Sequence, residues 1–163
     1  MRRLILLRHA KSSWADPGQT DHQRPLNARG RHDAPLMAQR LVQSGWEPQW
    51  VLSSDAARTR QTWQLMADTW TTSPTVSYCH SLYLGGLKPL SRELSAVPDD
   101  VQTVLAIGHN PGWEEATSWL SGIPTEMTTA NAALLERDHE HWSDALKSPS
   151  SWRLCDVLRP KDH

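Results

Sequence analysis

Leu4-Ile5-Leu6-Leu7-Arg8-His9-Ala10-Lys11-Ser12-Ser13-Trp14 is the stretch on which the fold turns. Its apolar run reads as a buried β-strand that stops abruptly at a guanidinium and an imidazole. Both polar groups then sit at the carboxyl end of a strand, where open α/β sheets bind ligands. An imidazole held there beside a fixed cation is suited to attack on an anionic centre.

Outward from this stretch, strand-like and helix-like runs alternate. Strands are expected at 3–8, 50–53, 75–79 and 103–108, with later ones near 131–136 and 152–158. Thr103-Val104-Leu105-Ala106-Ile107 is almost continuously apolar, as a strand covered on both faces must be. Ala34, Met37, Ala38 and Leu41 follow the i, i+3, i+4, i+7 spacing of a buried helical stripe. Trp63, Met66, Ala67 and Trp70 repeat it, as do Trp113, Ala116, Thr117 and Leu120, and Leu87, Leu90 and Leu94 form a shorter one. Pro35 should kink the first helix if it starts at Asn27, or move its start to about Asp33. Strands separated by helices predict a three-layer α/β/α sandwich with a mostly parallel central sheet. With 163 residues and no linker-like segment, the chain is expected to form a single domain over 1–163.

Composition narrows the function. There are 17 basic and 18 acidic residues, net charge −1, so no overall field favours nucleic acid or an anionic membrane, and any anion site must be local. Nine Trp residues occur without an interleaved Lys/Arg patch, which reads as core and surface packing rather than a base-stacking platform. Met1-Arg2-Arg3 with the apolar run is too short for a signal peptide, and no run approaches the roughly 20 apolar residues of a membrane helix. Cys79 and Cys155 fit a reducing compartment as small apolar fillers, and a cytoplasmic location is expected.

Two further segments follow predicted strands. In Ser53-Ser54-Asp55-Ala56-Ala57-Arg58-Thr59-Arg60, Asp55 is expected as the N-cap, placing Arg58 in the first helical turn. In Gly108-His109-Asn110-Pro111-Gly112, Gly108 permits a tight turn and Pro111 suits a helix start. In a parallel sheet the three strand ends converge, bringing Arg8, His9, Arg58 and His109 together. Arginine forks match phosphoryl oxygens. A neutral His9 is a competent nucleophile, and a protonated His109 is expected to stabilise charge on the equatorial oxygens.

These motifs resemble the histidine phosphatase superfamily, marked by Arg-His-Gly after the first strand, and within it the bacterial phosphohistidine phosphatases of the SixA type. Leu7 through Trp14 is similar to that branch's opening, with Ala10 in the glycine place. Asp21 through Gly30, Ser54 through Thr62 and Ile107 through Gly112 are similar to its later blocks, and the likeness runs through Leu82-Tyr83 to Arg159-Pro160-Lys161. The resemblance implies a phosphoglycerate mutase-like fold and a reaction without metal or cofactor. It also implies His9 as the transiently phosphorylated nucleophile and Arg8, Arg58 and His109 as holders of the phosphoryl group. Ser12 and Asn110 join them as expected substrate contacts.

Two departures bear on substrate. Ala15 stands where the mutase-like relatives carry a pocket asparagine, and no carboxylate is an evident proton donor. Asp16, Asp21 and Asp55 are candidates, each better explained as a turn or cap. An alkoxide leaving group needs a proton, whereas a protonated imidazole leaves without much help. The expected partner is therefore a phosphorylated protein, such as a histidine-phosphotransfer domain, acted on by a monomer. A small phosphorylated metabolite is the alternative, and a non-catalytic phospho-binding module is a second one. Lys11 reads as a rim charge, Arg24 as a loop anchor and Arg60 as a solvated helix residue. His139 and His141 read as surface groups rather than metal ligands. Ser12 and Ser13 lack the Gly-x-Ser-x-Gly elbow of a serine nucleophile.

Overall fold

The computed structural model describes residues 1–160; Lys161 lies outside the described residues. The chain runs β1 (Arg2–Arg8), α1 (Ala28–Gln43), β2 (Trp50–Ser54), α2 (Ala57–Met66), β3 (Thr75–Cys79), α3 (Leu87–Leu94), β4 (Thr103–Gly108), α4 (Gly112–Ser121), β5 (Ala132–Arg137) and β6 (Arg153–Leu158). One sheet of order β3-β2-β4-β1-β5-β6 joins all six strands. β3, β2, β4 and β1 are mutually parallel, and β5 runs antiparallel to both β1 and β6.

The period of two along β1 explains the layers. Leu4 and Leu6 enter one core with Leu90, Trp113 and Leu120 of α3 and α4, while Ile5 and Leu7 enter the other with Met37, Leu41 and Trp63 of α1 and α2. All four β1 side chains are fully buried, each contributing about 1.5–3 kcal/mol of apolar transfer. The expected three-layer α/β/α sandwich is therefore present. In register, Arg8 lies opposite Gly108 and Ser53 opposite Ile107, so the carboxyl ends of β1, β4 and β2 lie side by side.

Some expectations are corrected. Of the two starts expected for α1, the later one near Asp33 is corrected: the helix starts at Ala28, after Asn27, and continues through Pro35, because the Asn27 side chain accepts from the Gly30 N–H at 2.9 Å. The α2 stripe ends at Met66; a 3₁₀ turn over Ala67–Thr69 follows, and Trp70 stacks on Trp63 from beyond it, with ring centroids 6.2 Å apart. Cys79 is a buried filler as expected, but Cys155 is exposed on β6 at the sheet edge. Among the described residues no helix is long and apolar enough to cross a membrane.

Candidate active site

His9 follows β1 directly. Its backbone N–H donates to the Gly108 carbonyl at 3.1 Å, continuing the β1–β4 ladder past the last strand residue. Its Nδ1 lies 2.7 Å from the Ala10 carbonyl oxygen. A carbonyl only accepts, so Nδ1 carries the hydrogen and Nε2 keeps a lone pair. The Ala10 N–H donates to Thr62 Oγ1 at 3.1 Å, which holds the loop carrying that carbonyl against α2. Burial, followed by the charges of Arg58 and Arg8, pushes the His9 imidazole down to about 3. It is neutral at physiological pH, as a nucleophile must be.

Arg58 lies in the first turn of α2 and is 3 % exposed. Its Nε donates to His9 Nε2 at 3.3 Å, and its terminal nitrogens donate to the Asp21 carbonyl at 2.7 Å and Asp21 Oδ2 at 3.1 Å. Asp55 was expected as the N-cap, but Ala56 occupies that position. The Asp55 carboxylate is drawn instead to His22 Nε2 at 2.7 Å and His80 Nδ1 at 3.0 Å. Arg60 points elsewhere: its guanidinium lies 4.1 Å over the Tyr78 ring and donates to the Asp55 carbonyl.

Asp21 is the anchor of the arginines. It also accepts from Arg24, at 3.1 Å and 3.3 Å, and from the Tyr83 hydroxyl. Burial alone would raise its carboxyl, but the bonds from Tyr83 and Arg24 and the charge of Arg58 outweigh that and hold it well below the usual carboxylate range. Arg24 in turn donates to Ser12 Oγ at 2.6 Å and lies 3.6 Å over the exposed Trp14 ring.

His109 follows β4 and is 1 % exposed. A Cβ on Gly108 would sit 2.6 Å from the Trp113 ring, so glycine is required there for the approach of the indole. Nε2 of His109 lies 2.8 Å from Ser54 Oγ, while its Nδ1 is buried without a partner. The two imidazoles stand 5.2 Å apart, centroid to centroid. Burial, then the neighbouring His9 and Arg58, pushes His109 down to about 3. The expected protonated His109 is therefore corrected for the unliganded protein: a second cation in this buried, already cationic setting is unfavourable. Asn110 reaches the site, but its amide donates to Glu114 Oε1 at 3.0 Å and the Met127 carbonyl at 2.8 Å, and its oxygen accepts from the Glu114 N–H. Pro111 is the N-cap of α4 rather than its first residue.

Arg8, His9, Ser12, Arg24, Arg58 and His109 converge on a cleft of about 200 Å³, with Lys11, Trp14, Asn110 and Thr129 also in its walls. No described residue lining it is acidic. Permanent positive charge surrounds one lone-pair nitrogen, an arrangement that can bind a tetrahedral oxyanion and attack its centre. Outside the cleft, ligand atoms of His22, Asp55 and His80 lie within 4.8 Å of one another and could hold a metal, although one nitrogen of each ring already pairs with Asp55. His139 and His141 pair with Asp144 and Asp99, each at 2.7 Å.

Sequence reasoning weighed Asp21 as a proton donor or a turn or cap residue, not as the anchor of the arginines, and missed Ser54, Tyr83 and Glu114 as supports. Tyr83 and Ser54 act through Asp21 and His109, 62 and 55 residues away, and Glu114 through Asn110 and Met127. The available signal was the place of Ser54 and Glu114 inside or beside the strand-end segments and, for Tyr83, the likeness at Leu82-Tyr83.

Residues 4–78 match the histidine phosphatase superfamily (branch 1). An uncharacterized chloroplastic protein of Arabidopsis thaliana is 42% identical over 98% of this chain and 78% of its own length. The protein assigned as phosphohistidine phosphatase SixA in Agrobacterium tumefaciens is 31% identical, with a TM-score of 0.79 over 98% of both chains. A protein histidine phosphatase SixA complexed with tungstate superposes with a TM-score of 0.81 over 97% of both chains, at 23% identity, a likeness of fold.

Proposed function

Because the chain belongs to the histidine phosphatase superfamily and is a phosphatase-type hydrolase, we propose that it works through a phosphohistidine formed on His9, needs no metal, and removes phosphoryl groups from phosphohistidine on a protein. The observation that carries this reading is the state of His9: its Nδ1–H is spent on the Ala10 carbonyl, so Nε2 faces Arg58 as a lone pair.

In the first step Nε2 forms a bond to phosphorus as the bond to the leaving group breaks. Arg8, Arg58 and Arg24 supply charge for the equatorial oxygens, which is the role a metal would otherwise take. If the Ser54 hydroxyl donates to His109 Nε2, the unpartnered Nδ1–H of His109 is a further donor to the phosphoryl group. In the second step water adds to phosphorus, the P–Nε2 bond breaks, and inorganic phosphate and neutral His9 are regenerated, the released proton going to solvent.

The lining of the cleft supports an activated substrate. Asp21 is held as a carboxylate behind Arg58, and Glu114 is occupied by Asn110 and the Met127 N–H. Neither is placed to protonate an alkoxide, whereas a phosphohistidine protonated on its other nitrogen leaves as neutral imidazole.

The test is intact-mass spectrometry after brief mixing with a phosphohistidine peptide in EDTA, quenched without acid, beside turnover of that peptide and of an alkyl phosphate. A phosphate-sized adduct absent from His9→Ala, with turnover strongly favouring the peptide, is expected. Comparable turnover of the two substrates would remove the phosphohistidine preference. An active His9→Ala protein would remove the covalent mechanism.

A further inference from the structure

A second cavity, of about 350 Å³, lies against the first. Arg8, Lys11 and Thr129 line both, so the two are contiguous. Arg29, Thr128, Asn131 and Arg159 complete the polar wall of the second, and no described residue lining it is acidic. Four of its lining residues are therefore basic in a chain whose net charge is −1.

Its polar groups are incompletely used. Asn131 is fully buried, and both its amide nitrogen and its amide oxygen lack a partner. Arg8 Nε is also buried without one. Leaving a buried polar group unsatisfied costs roughly 1–3 kcal/mol, so such groups call for a ligand or another explanation. The backbone around them is firmly held. The Arg8 N–H donates to the Asn131 carbonyl at 3.0 Å, and the Ala130 N–H is shared by the Arg8 and His9 carbonyls at 3.1 Å and 3.0 Å. Ala130 accepts a φ of +59° there, a left-handed conformation costing an alanine about 1 kcal/mol. A strained turn thus presents Thr129 and Asn131 beside the catalytic arginine.

The geometry points to this cavity as a second anion subsite, one that takes a carboxylate or second phosphate carried by the same substrate whose phosphoryl group meets His9. The inference rests on the proposed phosphoryl site and narrows its substrate to one that carries a second anionic group beside the phosphoryl group. Arg29 and Arg159 can turn toward such a group. Arg29 is exposed, with an ion pair to Asp33 at 3.5 Å, and among the described residues the Arg159 guanidinium donates to the Glu126 carbonyl at 3.4 Å.

The test uses non-hydrolysable ligands, so it reads binding whether or not His9 turns over. Affinities of 3- and 4-carboxybenzylphosphonate are compared by calorimetry with those of their neutral carbamoyl counterparts. Wild-type protein is expected to bind one carboxylate isomer about tenfold or more tightly than its carbamoyl partner, as a charge-assisted contact allows. Arg29→Gln/Arg159→Gln is expected to abolish that ratio while leaving carbamoyl binding within about threefold, with thermal melts confirming folding. Arg159→Gln alone, which leaves the Arg29–Asp33 pair intact, should reduce the ratio if the double variant is unstable. Equal affinities of the carboxyl and carbamoyl ligands in wild-type protein would overturn the subsite. So would an undiminished ratio in the folded variants. If added inorganic sulfate tightened the carbamoyl ligand while the carboxylate gave no advantage, the cavity would hold a free anion, and the substrate assignment would fall. Failure of the phosphoryl-site reading would register separately, as no binding of any phosphonate.

Discussion

Replacing Arg58 by Met keeps much of the side-chain volume and removes the guanidinium that, alone among the described residues, donates to His9 Nε2. At an effective dielectric of about 20, one unit charge about 4 Å from another is worth roughly 4 kcal/mol. Loss of one preorganised donor to a developing oxyanion costs about 2.7–4 kcal/mol elsewhere. Both routes give a fall in kcat/KM of about 10²–10³-fold for Arg58→Met. The cost to folding should be smaller, because its partner Asp21 is 44 % exposed and regains water, and Met leaves no unpaired charge in the buried place of Arg58. Arg60→Met is the internal control. That residue is in the same helix but lies over Tyr78, so the change should cost less than about threefold, within the roughly 0.5–1 kcal/mol of an accessible cation–π contact. The assay is kcat/KM on a phosphohistidine peptide alongside denaturant unfolding of all three proteins. A second readout is the His9 imidazole titrated by NMR. It should move upward in Arg58→Met, because the Arg58 charge adds to burial in lowering it. Equal losses in the two variants at equal stability, or an unmoved His9, would refute the assignment.

The histidines make stability pH-dependent. Both are held near 3 when folded, below the ordinary value of about 6.5, so the unfolded chain binds their protons first as pH falls. Their contribution is complete above about 6.5 and declines as pH drops toward 3, by roughly 2 kcal/mol per histidine between pH 7 and 5. Denaturant midpoints across that range test this, and an NMR titration placing either ring above about 5.5 would contradict it. Asp21→Asn loosens the anchor of Arg58 and Arg24 and should lower turnover by about tenfold or less on esters and phosphoramidates alike. A loss of about 10²–10⁴-fold confined to esters would instead mark Asp21 as a general acid.

The convergence of Arg8, His9, Arg58 and His109 was legible because each follows a strand that sequence alone defines by continuous apolar residues. Parallel pairing then brings the three strand ends together whatever the loops do. Arg58 was placed correctly in its helical turn although the cap was misassigned, since moving the cap from Asp55 to Ala56 shifts the start by only one residue. What was illegible depends on contacts between distant segments. The competition of His22 and His80 for Asp55 spans 33 and 25 residues. The start of the helix through Pro35 stayed open between Asn27 and Asp33, because a local cap and a local breaker point to different starts; the Asn27 bond to the Gly30 N–H decides it. The second cavity is assembled from residues near positions 10, 29, 130 and 159, and no periodicity reports such a meeting. Exposure of Cys155 likewise follows from β6 lying at the sheet edge, an order set by the antiparallel return of β5.

The state of His109 was misjudged for a related reason, and its correction changes how the site must work. Sequence gives a residue's type, while its charge depends on what surrounds it. Here burial and the proximity of His9 and Arg58 make a second imidazolium costly before substrate arrives. The positive charge acting on His9 therefore resides on the guanidiniums of Arg58, Arg8 and Arg24, which do not titrate near neutrality. That division separates two requirements that would conflict if one residue type met both. The nucleophile must be free of a proton, and the oxyanion holders must keep theirs. Were His109 an obligatory cation, any pH low enough to charge it would also favour protonating His9 only 5.2 Å away. With arginines holding the phosphoryl group, both imidazoles can remain neutral in the resting protein. Binding of a dianion then supplies the negative charge that makes a proton on His109 less unfavourable, so His109 can take one where it helps without requiring it beforehand.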